Sequence, residues 1–346
     1  MLDSLSSKVI VAKIRAMYGR RLTVEDYNEL LRRRSVGEVA SYLKTKENYA
    51  DALKAINESS IHRGQLEALL RHDLFNKYDR LCRYEGARSK GFSFYIILLA
   101  ETEQILRCIM LLNAKSMDEF ILDLPGYLIK HTSFNLLDLA HVRSYKELLE
   151  VIRHTPYEEI VRRFPPDEDG LIDYTSCEVA LRTFDFQRIF ELIDQYFKGA
   201  TRSELNEVLH ISVELLNLSR IFRMKTYYHY SAEEIKKRIL PFYFRLSPSR
   251  LDKLLENETV EDMQAYLRLT PYAPKAGDET LVSVENYIDR LKFLFNNKLI
   301  HFSTNAPSVL YAFMTLSEIE LENIISIIEG IRYEVPADEI KKMLIV

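Results

Sequence analysis

No tryptophan occurs in the 346 residues, and glycine, proline and cysteine are sparse at ten, ten and three. So few chain breakers leave little room for tight turns between short strands, and they favour long helices. The cysteines, Cys82, Cys108 and Cys177, are odd in number and widely spaced, with no CxxC pair. They imply neither a disulfide framework nor a zinc site, and they read as small apolar residues in a reducing compartment. Charge of one sign is lacking too. The formal net charge is −4, so no global field draws in nucleic acid. The first 90 residues are mildly basic, 18 Lys/Arg against 12 Asp/Glu, and read as a solvated helical surface. A long uncharged apolar run is also missing. The most apolar stretch, Phe92–Leu112, contains Glu101, Glu103 and Arg107, each costing about 2.5–3.5 kcal/mol at mid-bilayer. It is expected to be a core helix. The N-terminus has Asp3 and Lys8 and no cleavable signal pattern, so a cytosolic chain is expected.

Reaction chemistry is absent in the same way. The stretch GARSKGFS, Gly86 to Ser93, has the GxxxxG spacing of a phosphate loop, but Phe92 stands where the phosphate-reaching lysine belongs. Its flanks are helical and Arg-rich where a strand is required. The eight histidines form no HExxH and no i, i+4 pair, so no metal site is expected. There is no GxSxG. Glu158/Glu159 and Glu233/Glu234 are sequence neighbours, which on a helix point about 100° apart and make no acid–base couple. No catalytic residue and no cofactor are expected.

What is present is repetition. Composition is ordinary for a soluble globular protein, 47% apolar and 28% charged. Residues 214–241, ELLNLSRIFRMKTYYHYSAEEIKKRILP, share a frame with the C-terminal 306–346. Glu214 matches Glu320, Asn217 matches Asn323, Leu218 matches Ile324 and Ile221 matches Ile327, at an offset of 106 residues. After a one-residue slip, Glu234 to Lys237 match Glu339 to Lys342. A fainter copy spans 103–125, with Arg107 at the Asn217 position, Lys115 matching Lys225, and Pro125 ending the segment as Pro241 does.

Two further landmarks share the period. Capping boxes are expected at Ser35/Glu38, Ser144/Glu147 and Thr259/Asp262, and an aromatic closes each copy, Tyr49, Tyr157 and Tyr272. Helical patterns follow at Glu67 to Arg71, Glu178 to Arg182 and Glu285 to Arg290. Stripes such as Phe184, Ile189, Phe190, Ile193 and Phe197 read as core. The expected fold is all-α, in three tandem helical modules of about 110–115 residues. Their expected spans are 1–125, 126–241 and 242–346. Asn217 and Asn323 sit among apolar neighbours, where an amide needs a hydrogen-bonded partner. They are expected to tether each long helix to another helix or a loop.

PSVLYAFMTLSEIELENIISIIEGI (307–331) and LLNLSRIFRMK (215–225) together resemble the C subunit of bacterial and archaeal V-type ATPases, the counterpart of the eukaryotic d subunit. The resemblance spans essentially the whole chain. One departure is Ile331, where that family often carries lysine. The resemblance implies a funnel of three related modules about a pseudo-threefold axis, and a non-catalytic adaptor of the central stalk. Its implied partners are the central-shaft subunits and the cytoplasmic face of the membrane rotor ring, with torque coupled to proton or sodium transport. It further implies a peripheral location on the cytoplasmic side of the membrane. A free-standing helical-repeat scaffold for a protein or peptide partner is the alternative.

Overall fold

The computed structural model describes residues 2–86, 93–120, 129–257, 259–273 and 284–346; of 2–6, 82–86, 93 and 284–285 it describes the backbone alone. The phosphate-loop-like stretch therefore lies mostly outside the described residues, as do Pro125 and residues 274–283. Among the described residues there is no strand, and the fold is all-α. Four helices lead in: α1 (Leu2–Tyr18), α2 (Val24–Leu31), α3 (Val36–Lys44) and α4 (Ala50–Leu53). A long pair follows, α5 (Arg63–Gly86) and α6 (Ser93–Asn113). After 3-10 turns at Met117–Glu119 and Leu136–His141 come the short α7 (Tyr145–Val151) and α8 (Pro156–Val161), then the long α9 (Tyr174–Tyr196) and α10 (Gly199–Tyr228). The last third repeats the order: short α11 (Ala232–Lys236), α12 (Pro248–Glu256) and α13 (Val260–Leu267), then long α14 (Val284–Phe302) and α15 (Ala306–Arg332). The short α16 (Ala337–Met343) comes last.

The N-caps form where the sequence places them, with a displaced reciprocal bond. Ser35 accepts from the Glu38 N–H at 3.2 Å and Ser144 from that of Glu147 at 3.3 Å. Glu38 and Glu147, however, accept from the N–H of Arg34 (2.9 Å) and Arg143 (2.7 Å), one residue before the cap. Both capping serines have φ of −147°, which turns their own N–H away from the helix. Thr259 accepts from the Asp262 N–H at 3.1 Å and also donates to its carboxylate. Full capping boxes occur at Thr23/Asp26 and Ser231/Glu234, whose caps have φ of −89° and −66°.

Three long helices, α6, α10 and α15, organise the packing. In each, the N-terminal part enters one shared core and the C-terminal part enters a core of its own. α15 makes the reason plain. From Ala306 to Met314 every residue is buried, so that half is surrounded. Beyond it burial narrows to a stripe that includes Leu321, Ile324, Ile327 and Ile328. The shared core gathers Ile14 of α1, Tyr78 and Leu81 of α5, Ile189 of α9, Leu209 of α10 and Ile300 of α14 around that first half. The private cores join Ile105 and Ile109 to Leu148 and Leu181, Leu218 and Ile221 to Leu254 and Met263, and Ile324 and Ile327 to Leu30 and Leu43. α16 closes the last of these by seating Ile340 on bare backbone. A Cβ on Gly330 would lie 2.3 Å from Ile340 Cδ1.

Each private core crosses one of the expected module boundaries. The first joins 105–120 to 134–181, the second 211–239 to 246–291, and the third 321–344 to 22–70. The long-helix contacts follow the same cycle: α6 packs on α9, α10 on α14, and α15 returns to α5. Arg15 of α1 reinforces the return. Its guanidinium donates to the carbonyls of Ile300 (2.7 Å), His301 (2.9 Å) and Ser303 (2.8 Å), which the end of α14 leaves without helical partners.

Candidate functional site

Where each long helix passes from the shared core to its private core stands a buried glutamate: Glu101, Glu214 and Glu320. Each accepts from a tyrosine hydroxyl and from backbone N–H groups of the segment that its helix packs against. Glu214 takes the N–H of Phe244 (2.6 Å), Arg245 (3.0 Å) and Leu246 (2.9 Å) and the hydroxyl of Tyr272 (2.5 Å). Glu101 takes the N–H of Ser133 and the hydroxyl of Tyr157 at 2.8 Å. Glu320 takes the N–H of Leu22 (2.9 Å), the amide of Asn48 (3.3 Å) and the hydroxyl of Tyr49. Irregular backbone inside a protein needs acceptors for its amides, and a carboxylate supplies several at once. Burial pushes the Glu101 and Glu320 carboxyls above the usual carboxylate range, against the pull of these donors.

Three residues after two of these glutamates lie the sequence-marked asparagines. Asn217 donates to the Leu240 carbonyl (2.8 Å) and accepts its N–H (2.9 Å). Asn323 does the same for Ile345 (2.7 and 2.9 Å) and donates to the Tyr27 hydroxyl. Each asparagine thus holds the chain that returns after its helix, 23 and 22 residues downstream.

The shared partners correct the frame of the first copy. Glu101, not a residue further along, corresponds to Glu214 and Glu320, so Gln104 rather than Arg107 holds the asparagine position. Arg107 is half-buried and lays its guanidinium 5.8 Å from the Phe120 ring centre. Lys115 is likewise no counterpart of Lys225, whose ammonium reaches the Asn257 carbonyl at 3.3 Å. Lys115 is the left-handed residue that ends its helix (φ 54°), as His229 (φ 51°) and Glu334 (φ 55°) end theirs. The segment that Gln104 would hold by the same interval, near 126–127, lies outside the described residues.

A second set of ties repeats twice. Arg182 of α9 pairs with Glu178 (2.7 Å) and reaches Glu103 of α6 (2.6 Å). Arg71 of α5 pairs with Glu67 (3.0 Å) and reaches Glu322 of α15 (3.3 Å). In the remaining unit Leu216 stands at the position of Glu103 and Glu322, which removes the acidic end of the tie. Asp185 of α9 is fully buried, and neither carboxylate oxygen has a hydrogen-bond partner among the described residues. Burial pushes its carboxyl up to about 8.

Between α5, α6, α10, α14 and α15 lies a cavity of about 750 Å³. Its wall includes Tyr78, Tyr95, Ser212 and Tyr311 with the charged Lys292 and Glu318. Among the described residues no group of His, Cys, Asp or Glu is arranged to hold a metal ion. No described helix is long and apolar enough to cross a membrane.

These features define an all-helical repeat protein whose packing units are joined by buried polar ties, with a cavity between its long helices. The chain belongs to the ATP synthase (C/AC39) subunit family, whose model matches residues 10–343. It is similar to the C subunit of the A-type ATP synthase of Desulfurococcus sp. (strain SY), 25% identical over 293 residues, covering 84% of this chain and 75% of the relative. The corresponding proteins of Methanosphaera stadtmanae and Methanosarcina barkeri are each 22% identical, over 96% and 97% of this chain and 86% and 92% of their own lengths.

Removing an asparagine tie strands a backbone N–H and a carbonyl in the interior. Asn217→Leu and Asn323→Leu should each destabilise the fold by about 1–3 kcal/mol, read as a lower urea midpoint. Unchanged midpoints would contradict the tether. For Asp185 the sign is opposite. Its folded carboxyl titrates near 8, above the unfolded value of about 3.9, so the unfolded chain loses this proton first and stability falls as pH rises between the two. The stability of Asp185→Asn relative to wild type should therefore rise by about 3–4 kcal/mol from pH 5 to pH 8. A margin equal at both pH values would contradict the buried neutral acid.

Proposed function

We infer that this chain is the non-catalytic central-stalk adaptor of a rotary A/V-type ATPase. In this reading it receives the foot of the central shaft and hands torque to the membrane rotor ring, for ATP-coupled proton or sodium transport. It would sit peripherally on the cytoplasmic face of the membrane, held there through the ring. The three tandem modules, of the period read at 1–125, 126–241 and 242–346, would supply a funnel about a pseudo-threefold axis.

The observation that carries the reading is the return of α15 to α2, α3 and α5, through Glu320 and the third private core. A shaft much narrower than its ring needs an intermediate body that does not unwind under load. An open repeat array deforms by flexing at successive interfaces. A closed cycle of close-packed cores resists such flexing, because each unit is held on both sides. The same closure argues against a free-standing peptide-binding scaffold, in which the end units would be unpaired caps. The central cavity supports the reading as a socket for the shaft.

Removing the adaptor should separate two linked activities. Reconstituted complexes lacking the chain should still release phosphate from ATP in the detached catalytic head, while ATP-driven ion uptake into vesicles is lost. Undiminished uptake in its absence would overturn the adaptor reading.

A further inference from the structure

The cavity wall carries four acidic side chains and two basic ones: Glu103, Asp289, Glu318 and Glu322, with Arg71 and Lys292. Three of the acids have partners. Glu103 holds Arg182 at 2.6 Å, Glu322 holds Arg71 at 3.3 Å, and Asp289 holds Lys292 at 3.2 Å. Glu318 has no hydrogen bond or ion pair among the described residues. Its neighbours on α15 show why it is not simply a surface acid. Met314 and Tyr311, one and two turns earlier, are buried in the shared core, and Glu320 and Asn323 just beyond are the buried ties. Glu318 is thus fixed on a rigid helix, exposed to the cavity and with protein across from it.

We propose that Glu318 is the carboxylate on which a lysine or arginine of the shaft's foot pairs inside the central cavity. This rests on the adaptor reading and adds the chemistry of the contact. Charge complementarity selects the partner. The wall carries an excess of two negative charges, and the one uncommitted among the described residues points into the space a guest would fill. An apolar guest would bury that carboxylate without compensation, which is strongly unfavourable. A cation supplies the missing partner, and a guest seated in the cavity displaces water from the carboxylate, so the pair once formed is screened less than one on an open surface.

The pairing is proton-linked. Enclosure by the surrounding protein pushes the Glu318 carboxyl up to about 7, with Lys292 and Arg71 opposing the rise and Glu322 and Glu103 adding to it. The groups facing it are Arg71 and Tyr78 from α5, Tyr95 and Glu103 from α6, Asp289 and Lys292 from α14, and Tyr311 and Glu322 from α15 itself. α10 brings the neutral Ser212, and the C-terminal segment brings Met343 and Ile345. Among the described residues no histidine lines the cavity. Above neutral pH Glu318 is charged and grips a cation; as pH falls through 7 it takes a proton and the grip weakens.

The test is the affinity of the full chain for the purified central-shaft subunits of its own ATPase, at fixed salt, between pH 8.5 and pH 5.5. Wild type should bind about tenfold more weakly at the acid end, the size of effect expected for one enclosed charge pair. Glu318→Gln should bind at pH 8.5 as wild type does at pH 5.5, with little further change on acidification. Equal affinity and an equal pH profile for the two proteins would overturn the proposal while leaving the adaptor reading intact. Failure of wild type to bind the shaft at any pH would overturn both. If Glu318→Gln does not fold, a flat wild-type profile is itself sufficient to overturn the proton-linked pair.

Discussion

The structure depends on a carboxylate placed at the point where a long helix leaves one core for another. Hydrophobic burial is non-directional and leaves the relative angle of two packing units loosely specified. Hydrogen bonds specify it. Glu214 accepts from three consecutive backbone N–H groups and a tyrosine hydroxyl, so the segment 244–246 and Tyr272 can lie only where those four donors converge. An apolar residue at that position would leave the coil amides buried and unpaired, at a penalty of about 1–3 kcal/mol for each. A full charge in the interior is itself unfavourable, which is visible in the raised carboxyls of Glu101 and Glu320. What such a group contributes is position more than stability.

Because the same joint recurs at Glu320, the chain's last long helix is fastened to its first short helices. The core that contains Ile324 and Ile327 is completed by Leu30, Leu43 and Leu53, residues almost three hundred positions away. A packing unit is therefore assembled from both ends of the chain, and neither end can leave without opening that core. Arg15, across the carbonyls at the end of α14, adds a second fastening between the same regions. Stiffness in this molecule comes from closure as well as from helix packing.

Much of this was legible in the sequence, for reasons that individual residues make clear. The helices were legible because breakers are few and caps such as Ser35, Ser144 and Thr259 are local signals. The two matched ties were legible because Glu214 and Asn217 keep their chemistry and spacing at Glu320 and Asn323. The phase of the repeat was not legible. A period in sequence fixes the length of a unit but not where it begins, and the private cores begin at 105, 211 and 321, late in each expected module. The frame of the first copy was missed because Arg107 and Lys115 offered better local matches than Glu101 and Gln104, whose roles depend on partners such as Tyr157 and Ser133. The signal that would have found it is the set of three tyrosines, Tyr49, Tyr157 and Tyr272, each needing a buried acceptor for its hydroxyl. The cavity and Glu318 left no mark in the sequence at all, because enclosure by five helices is a property of the assembled fold.

The central claim is that the carboxylate joint at Glu320 closes the chain on itself. A double-mutant cycle across that joint tests it directly, since Glu320 and Tyr49 are 271 residues apart and interact only when the cycle of units is closed. Unfolding free energies of wild type, Glu320→Gln, Tyr49→Phe and the double variant should show a coupling of about 1–3 kcal/mol. Losses that add to within about 0.5 kcal/mol would contradict the closed arrangement.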